Sequence, residues 1–177
     1  MSITVERIKH LNAADLDDMC RATSTAIEDG IGFNWLGSPT EEELEAYWKG
    51  VLMVPQRILF GGRLDGTLVA SIQLVKPGKS KESSAFSAKI EGHFVAPYAR
   101  GHGLAKMLLE TAEREASTLG FTTLLLDVRE TQRKAITLYR ESNYLEWGVL
   151  PNYEIVHGSM VSGHYFYKEL KPLSGMD

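Results

Sequence analysis

The chain has 177 residues, of which 44% are hydrophobic, and its formal net charge is -4. A chain of this length suits one hydrophobic core, so we expect a single domain over residues 1–177. The acidic balance offers no basic footprint for nucleic acid. No apolar run approaches the roughly 20 residues that span a bilayer, so the sequence predicts a cytoplasmic protein that does not enter a membrane.

The sequence contains one cysteine, Cys20, which excludes an internal disulfide and a cysteine-based metal cluster. Cys20 lies in a stretch with a helical pattern, so a buried core thiol is favoured over a catalytic nucleophile. The five histidines show no short ligand spacing, and no metal site is expected.

The first third of the chain predicts one strand and two helices. The opening stretch "SITVERIK" alternates as a strand does, and Asn12 or Asp15 can cap a helix that ends near Gly30. The aromatic loop "GIGFNWLGSP" follows this helix. Thr40 and Glu43 then form a capping box, which predicts a second helix.

The remainder of the chain predicts six strands and two helices. "RILFGGRL" and "TLVASIQLV" flank an Asp-Gly turn and should pair antiparallel, and "AFSAKIEGHFV" is a strand that Pro97 ends. A helix runs from Gly103 to Gly120, followed by the strand "FTTLLLDV", the helix "QRKAITLYRESN" and the strands "YLEWGVL" and "GHYFYKEL". The order β-α-α-β-β-β-α-β-α-β-β indicates a single α/β domain with a mixed sheet.

A glycine-framed turn, "VAPYARGHGLAK", joins the third of these six strands to its helix. Backbone amides at a helix start are unpaired and lie at the positive end of the helix dipole, so they attract anions. Gly101 and Gly103 remove side chains that would keep a phosphate from the amides, and Arg100 adds a positive charge. The turn therefore favours a pyrophosphate ligand.

Two common phosphate motifs do not fit this spacing. A dinucleotide fingerprint that starts at Gly101 needs a small residue where Lys106 stands, and the Gly-Lys-Ser/Thr of a P-loop is missing. A turn without a ligand stays open as the alternative when this stretch is considered alone.

The turn resembles the signature of the GNAT superfamily of acyl-CoA-dependent N-acyltransferases, Arg/Gln-x-x-Gly-x-Gly/Ala after a strand that ends Val-x-Pro. The residues in register are Val95, Pro97, Arg100, Gly103 and Ala105. The resemblance implies a single domain with a mixed, mostly antiparallel sheet of about seven strands flanked by about four helices.

A second stretch, "LLLDVRETQRKAITLYRESNY", resembles the family's strand, its Asn-x-x-Ala-x-x-Leu-Tyr helix and the Gly-Phe that follows. Gln132 stands in place of the usual asparagine and keeps a side-chain amide for a hydrogen bond to the cofactor. Asn143 and Tyr144 replace Gly-Phe, which affects helix termination more than chemistry.

The resemblance implies acetyl-CoA as the co-substrate. Its pantetheine arm would pair with the backbone of Phe94 and Val95, as a strand adds to a sheet edge. Lys106, Arg133 or Lys134 would meet the ribose phosphate, or else they are solvated helix charges. The diphosphate would lie on the turn beside Arg100, held by the amides of Gly101, His102, Gly103, Leu104, Ala105 and Lys106.

Acetyl transfer to an amine needs a base, a donor for the oxyanion and an acid for the departing thiolate. The family places a tyrosine acid where Tyr139 stands, and the amide of Val95 suits the oxyanion. Asp127, which follows an apolar strand, is the leading base, and Glu91 is its rival. His93 is a third candidate base and a substrate contact, because alternation would put residues 91, 93 and 95 on one face.

The acceptor pocket is expected to involve Phe33, Trp35 and Tyr153, although such aromatic residues also fill cores. The C-terminal pattern is similar to that of tabtoxin-resistance acetyltransferases, which suggests a small amine or amino-acid-like acceptor.

Two alternatives to this function stay open. A protein N-terminal or lysine acetyltransferase would show an open groove at Trp35 and Tyr153, and a non-catalytic acyl-CoA-binding module would keep the turn without the chemistry. A homodimer is compatible with every reading.

Overall fold

The computed structural model describes residues 1–31 and 33–171 and has the predicted order of elements. Within these residues the chain forms seven strands and four helices, and two short 3-10 turns precede the third helix. The elements are β1 (Ile3–Ile8), α1 (Ala13–Glu28), α2 (Glu41–Met53), β2 (Arg57–Leu64), β3 (Thr67–Val75), β4 (Ser87–Val95), α3 (Leu104–Thr118), β5 (Thr123–Arg129), α4 (Arg133–Glu141), β6 (Leu145–Val156) and β7 (Ser159–Glu169). None of the helices in the described residues is long and apolar enough to cross a membrane.

All seven strands belong to one sheet in the order β1-β2-β3-β4-β5-β7-β6. Every neighbouring pair is antiparallel except β4 and β5, which run parallel. The predicted mixed, mostly antiparallel sheet is therefore confirmed. The one parallel pair follows from the crossover through α3, since parallel strands need a long connection.

Local signals in the sequence set most of the element boundaries. The Asn12 side chain, rather than that of Asp15, caps α1 and accepts a hydrogen bond from the Asp15 amide at 2.8 Å. Thr40 and Glu43 form both bonds of the capping box at the start of α2. Asp65 and Gly66 join β2 to β3 with φ values of 48° and 88°, which is the geometry of a tight hairpin turn.

The helices cover the sheet with a continuous apolar core. α1 packs on β3, α2 packs on β2, and α3 lies across β1 to β4. Trp48 of α2 is fully buried, and its indole nitrogen donates to the Thr23 hydroxyl at 2.9 Å. Cys20 is buried in this core, where burial raises the pKa of its thiol to about 11. Cys20 is therefore the core thiol that the sequence predicts.

A β-bulge interrupts β4 at Gly92. Glu91 pairs with Gln73 and Phe94 pairs with Ser71, so two residues of β4 lie opposite one residue of β3. Gly92 has a φ of 56°, and a Cβ there would lie 2.6 Å from the Gln73 amide nitrogen. The expectation that residues 91, 93 and 95 share one face is wrong, because the extra residue breaks the alternation of side chains.

β4 and β5 separate soon after they meet. Their pairing is confined to residues 87–89 of β4 and residues 123–125 of β5. Both strands continue beyond that point, to Val95 and Arg129, without a shared ladder. The sheet therefore opens at the carboxyl ends of these two strands, next to the bulge.

Replacing Gly92 with alanine tests the bulge. The methyl group would collide with Gln73 at a positive φ, so we expect the free energy of unfolding to fall by about 2 kcal/mol. Gly50→Ala in α2 is the matched control, because no described atom lies within 4 Å of its added methyl group. Gly50→Ala should raise the free energy of unfolding by up to about 1 kcal/mol. Denaturant titration measures both changes, and equal stability of the two variants would contradict the assignment.

Candidate active site

A cavity of about 490 Å³ lies where β4 and β5 separate. The loop after α1, the helix α4 and the strand β6 complete its walls. Nine of the residues that the sequence predicts for the site line this cavity: Phe33, Trp35, Glu91, His93, Phe94, Asp127, Gln132, Tyr139 and Tyr153. The structure therefore brings together the candidate acid, both candidate carboxylate bases and the candidate acceptor contacts.

The glycine turn follows β4 and opens α3. Gly101 and Gly103 have φ values of 85° and 84°, and no described atom lies within 4 Å of the Cβ that a side chain would add. The first amide of this segment to bond within the described chain is that of Met107, which donates to the Gly103 carbonyl at 3.1 Å. The six amides before it are left for a ligand, and anions favour such a helix start.

The side chains of the turn have separate places. Leu104 is buried in the core, and the Ala105 carbonyl accepts a hydrogen bond from His93. A ring nitrogen of His102 lies 3.1 Å from the Ala99 carbonyl, which holds the turn on itself. Lys106 is exposed and lies 3.9 Å from Glu110 of the same helix. What these residues share at the turn is therefore their backbone amides, which are the groups available to an anion.

Arg100 is paired with Asp29, which caps the end of α1, at 2.8 Å. The sequence predicts a positive charge beside the diphosphate, and the charge is present. Its partner in this structure, however, is a carboxylate directly before the stretch "GIGFNWLGSP" (residues 30–39), which we call the acceptor loop. The ion pair links the glycine turn to that loop.

Tyr139 of α4 points into the cavity and is 5% exposed. Its hydroxyl lies 2.8 Å from Nδ1 of His93. Burial raises the pKa of Tyr139, and the nearby charge of Asp127 raises it further. The phenol therefore keeps its proton at neutral pH, as a proton donor must.

Both ring nitrogens of His93 are already engaged. Nδ1 meets the Tyr139 hydroxyl, and Nε2 lies 2.9 Å from the Ala105 carbonyl. Burial lowers the pKa of His93 to about 4, so the ring is neutral at pH 7. His93 lines the cavity, but neither nitrogen is free to accept a proton from a substrate amine.

Asp127 of β5 has a partner for each carboxylate oxygen. The Tyr153 hydroxyl donates to Oδ2, and Lys89 Nζ lies 3.1 Å from Oδ1. Tyr153 belongs to β6, and its ring packs against Gly163 of β7, where an added side chain would collide with the ring. Tyr153 thus lies beside Asp127 in the wall of the cavity.

Glu91 is held by two cations. Arg57 donates to Oε2 at 2.7 Å, and Lys89 lies 3.7 Å from Oε1. Arg57 also donates to the side-chain oxygen of buried Gln73 at 2.7 Å, and Gln73 in turn donates to the Tyr47 hydroxyl at 3.2 Å. Glu91 thus belongs to a polar network that runs toward α2.

Lys89 and Arg57 are site residues that the sequence analysis missed. Lys89 contacts both candidate bases, and although burial acts to lower its pKa, the contacts with Asp127 and Glu91 outweigh burial and leave the pKa raised. The spacing of Lys89 two residues before Glu91 on one strand was an available signal. Arg57 left no such signal, because it lies 34 residues from Glu91 along the chain.

The loop after α1 is anchored by its carbonyl groups. Arg129 of β5 donates to Gly30 at 3.2 Å and to Phe33 at 3.4 Å, and it forms an ion pair with Glu154 of β6. The Gln132 amide donates to the same Gly30 carbonyl at 3.1 Å. The structure therefore gives the Gln132 amide, predicted to bind the cofactor, a partner within the chain.

Aromatic side chains form the wall of the cavity where the acceptor is expected to bind. Phe33 is buried and packs edge-on against Phe94 with ring centres 5.2 Å apart, while Trp35 lies 5.2 Å from the Tyr47 ring. Phe33 thus belongs to the core and to the cavity lining together. In the described part of the chain, no group of three or more His, Cys, Asp or Glu residues is placed to hold a metal ion.

Comparison with known proteins identifies the family. The model of the acetyltransferase (GNAT) family matches residues 23–144, which is more than half of the chain. The chain belongs to the acetyltransferase (GNAT) family. A related uncharacterized N-acetyltransferase from the hisH-hisA intergenic region of Azospirillum brasilense is 53% identical over 132 residues, which cover 75% of this chain and 79% of the relative.

Solved GNAT structures share the fold at low sequence identity. An N-acetyltransferase from Staphylococcus aureus Mu50 has a TM-score of 0.81 and 18% identity, with 97% of this chain and 100% of that chain covered. A phosphinothricin acetyltransferase from Sinorhizobium meliloti, solved in complex with acetyl-CoA, has a TM-score of 0.78 and 18% identity, with 99% and 95% covered.

The family prediction is confirmed, and the GNAT chain is an acyltransferase of the N-acetyltransferase class. Acetyl-CoA, which is bound in the Sinorhizobium structure, agrees with the acetyl donor that the sequence predicts.

Arg129→Met tests the anchor of the acceptor loop. Arg129 is 7% exposed, and its loss leaves Glu154 and the Phe33 carbonyl without their partner, while Gln132 still bonds to the Gly30 carbonyl, so we expect the free energy of unfolding to fall by about 2 kcal/mol. Arg133→Met, at an exposed position of α4, is the control and should change it by less than about 0.5 kcal/mol. Both are measured by denaturant unfolding without ligand. A stable Arg129→Met protein would remove Arg129 from this role.

Proposed function

We propose that this GNAT enzyme transfers the acetyl group of acetyl-CoA to the primary amine of a small molecule, by direct attack of the amine in a ternary complex. The observation that carries the proposal is the separation of β4 and β5 beyond Lys89, which opens a cavity lined by the candidate acid and both candidate bases. The glycine turn at the end of β4 adds unpaired amides on the cofactor side.

The residues present fit acetyl-CoA. The separated strand ends leave the backbone of Phe94 and Val95 at the mouth of the opening, where the pantetheine amides can add as a strand does. The open space over Gly101 and Gly103 suits a diphosphate, and Arg100 can exchange Asp29 for a phosphate oxygen. When bound, acetyl-CoA supplies the activated acyl group, and the chain supplies the groups that move protons.

Tyr139 is the proposed acid for the departing thiolate. Its raised pKa keeps the proton on the phenol, and it lines the cavity on the helix that faces the opening. The amide of Val95 is the proposed donor to the oxyanion.

Asp127 is favoured over Glu91 as the base that accepts a proton from the acceptor amine. Asp127 and Tyr139 line the same cavity, and the charge of Asp127 contributes to the raised pKa of Tyr139. Both carboxylates are paired with Lys89, but the second partner of Glu91 is the charged Arg57 guanidinium at 2.7 Å, whereas the second partner of Asp127 is the uncharged Tyr153 hydroxyl.

A small acceptor is favoured by the walls of the cavity. Tyr153 of β6 donates to Asp127, and Trp35 and Tyr47 pack together in the lining of the same cavity. Phe33, Trp35 and Tyr153 are therefore the proposed acceptor contacts. An extended protein segment would need an open groove where Tyr153 stands.

A thiol-release screen tests the proposed function. Acetyl-CoA is offered with amines, amino acids, aminoglycosides and acceptor peptides, and release of free thiol is followed by a thiol reagent. We expect release with a small amine. Release only with peptides would favour a protein acetyltransferase, and binding of acetyl-CoA by calorimetry without release would favour a non-catalytic binding module.

Tyr139→Phe should lower turnover about a hundredfold while leaving the affinity for acetyl-CoA nearly unchanged, because it removes the hydroxyl that carries the acidic proton and keeps the ring. Turnover and calorimetry measure the two quantities. The exposed Tyr98→Phe is the control and should keep full turnover. Unchanged turnover in Tyr139→Phe would remove Tyr139 from the acid role.

Asp127→Asn and Glu91→Gln identify the base when kcat/KM is followed across pH. We expect Asp127→Asn to lose the rising limb of the profile and about a hundredfold in rate, because an amide cannot accept the proton. Glu91→Gln should keep the limb. The reverse result would assign the base to Glu91, and unaltered profiles in both variants would assign it to water.

The surroundings of the protein complete the proposal. A cytoplasmic location is proposed, because the one cysteine is a buried free thiol, as reducing compartments favour.

A homodimer is also proposed, through the exposed apolar side chains Leu145, Trp147 and Val149 of β6, the last strand of the sheet. A second copy is the occupant because a free strand edge matches itself around a two-fold axis.

A further inference from the structure

His93 connects two parts of the site that lie on different helices. It follows the bulge glycine in β4, and it contacts Tyr139 of α4 with one ring nitrogen and Ala105 of α3 with the other. The distances, 2.8 Å and 2.9 Å, are those of ordinary hydrogen bonds. No other histidine of the described chain bonds to a candidate catalytic side chain.

The two contacts fix the tautomer of the ring. A carbonyl oxygen only accepts, so Nε2 must carry the hydrogen that is donated to Ala105. In a neutral imidazole Nδ1 is then an acceptor, and the Tyr139 hydroxyl must donate to it. Before a thiolate forms, the proton of Tyr139 therefore points at Nδ1 of His93.

The charge of the ring agrees with this assignment. Burial lowers the pKa of His93 to about 4, while the bond to Ala105 acts in the opposite direction. The titratable group that contacts His93 is Tyr139, which burial keeps protonated, and the charged group beyond it is Asp127 of β5. A protonated ring would place a second N–H against the phenol and would force its hydroxyl to turn away.

We propose that His93 is a positioning residue, neutral and fixed in the Nε2–H tautomer by the Ala105 carbonyl, that holds the Tyr139 oxygen in place and accepts its hydrogen bond until the thiolate forms. The role rests on the proposed function, in which the Tyr139 hydroxyl turns from Nδ1 to the thiolate, a stronger base than the neutral ring, and the phenol O–H bond breaks as the thiol S–H bond forms. His93 itself neither gives nor takes a proton in the transfer. It holds the acid at a fixed place relative to the turn that binds the diphosphate.

The bond to Ala105 gives this arrangement a second consequence. Ala105 lies in the first turn of α3, two residues after Gly103, so the segment that receives the diphosphate also orients the imidazole. The bulge contributes as well, because the extra residue at Gly92 turns His93 toward α3 and α4, whereas Glu91 contacts Arg57 of β2. The bulge at Gly92 therefore directs His93, which holds Tyr139, and Glu91, the second candidate base, to different sides of β4.

Two amide variants separate the bonds of His93. In His93→Asn the amide oxygen takes the place of Nδ1 and can accept from Tyr139, whereas in His93→Gln the longer amide reaches the place of Nε2 and bonds to Ala105. We expect turnover of His93→Asn to exceed that of His93→Gln by about tenfold, with the KM for acetyl-CoA alike in both. His10→Gln, at an exposed position, is the control and should keep full turnover. Equal losses in both His93 variants would overturn the positioning role.

Nitrogen-15 NMR of histidine-labelled protein tests the tautomer without any activity. The His93 signals, identified by their absence in His93→Asn, should show a protonated Nε2 and a bare Nδ1 from pH 6 to 9. In Tyr139→Phe the Nδ1 signal should shift while the Nε2 signal stays. An Nδ1–H tautomer, a charged ring at pH 7 or an unmoved Nδ1 signal would overturn the proposal. Absent turnover with every acceptor would instead count against the proposed function and leave these spectra to decide the tautomer.

Discussion

At Gly92 the main chain of β4 approaches Gln73 so closely that a side chain would collide, and the site of this GNAT chain depends on that contact. The extra residue bends the strand and moves the side chains that come after it to the opposite face of β4. Beyond the short parallel pairing with β5, the two strands part and leave a cavity between their ends. A close backbone contact in the sheet therefore determines where acid, carboxylates and cofactor turn can meet.

The charges around the cavity are arranged in pairs. Arg57 meets Glu91, Lys89 meets Asp127, and Arg129 meets Glu154, so the carboxylates are balanced before any ligand enters. Under the proposed function, Lys89 has a further effect. An entering ammonium group would lie beside a fixed cation, and like charges favour the neutral amine, which is the form that attacks.

Most of the fold could be predicted from the sequence because its signals are local. The capping box at Thr40, the Asp65–Gly66 turn and the proline after β4 each act within a few residues, and together they gave the order of all eleven elements. The site was predicted less completely. The alternation rule failed at Gly92 because a bulge depends on the neighbouring strand. The assignments of Gln132 and Arg100 did not anticipate their partners, which are the Gly30 carbonyl, about 100 residues away, and Asp29, about 70 residues away.

The acceptor loop is held through its main chain. Arg129 and Gln132 bind the carbonyls of Gly30 and Phe33, groups that every amino acid possesses. Side chains in the loop can therefore change in evolution while the loop stays in place, and the proton-transfer groups on β5 and α4 need not change with them. Substrate preference in such enzymes can diverge one loop residue at a time, over a reaction centre that is inherited intact.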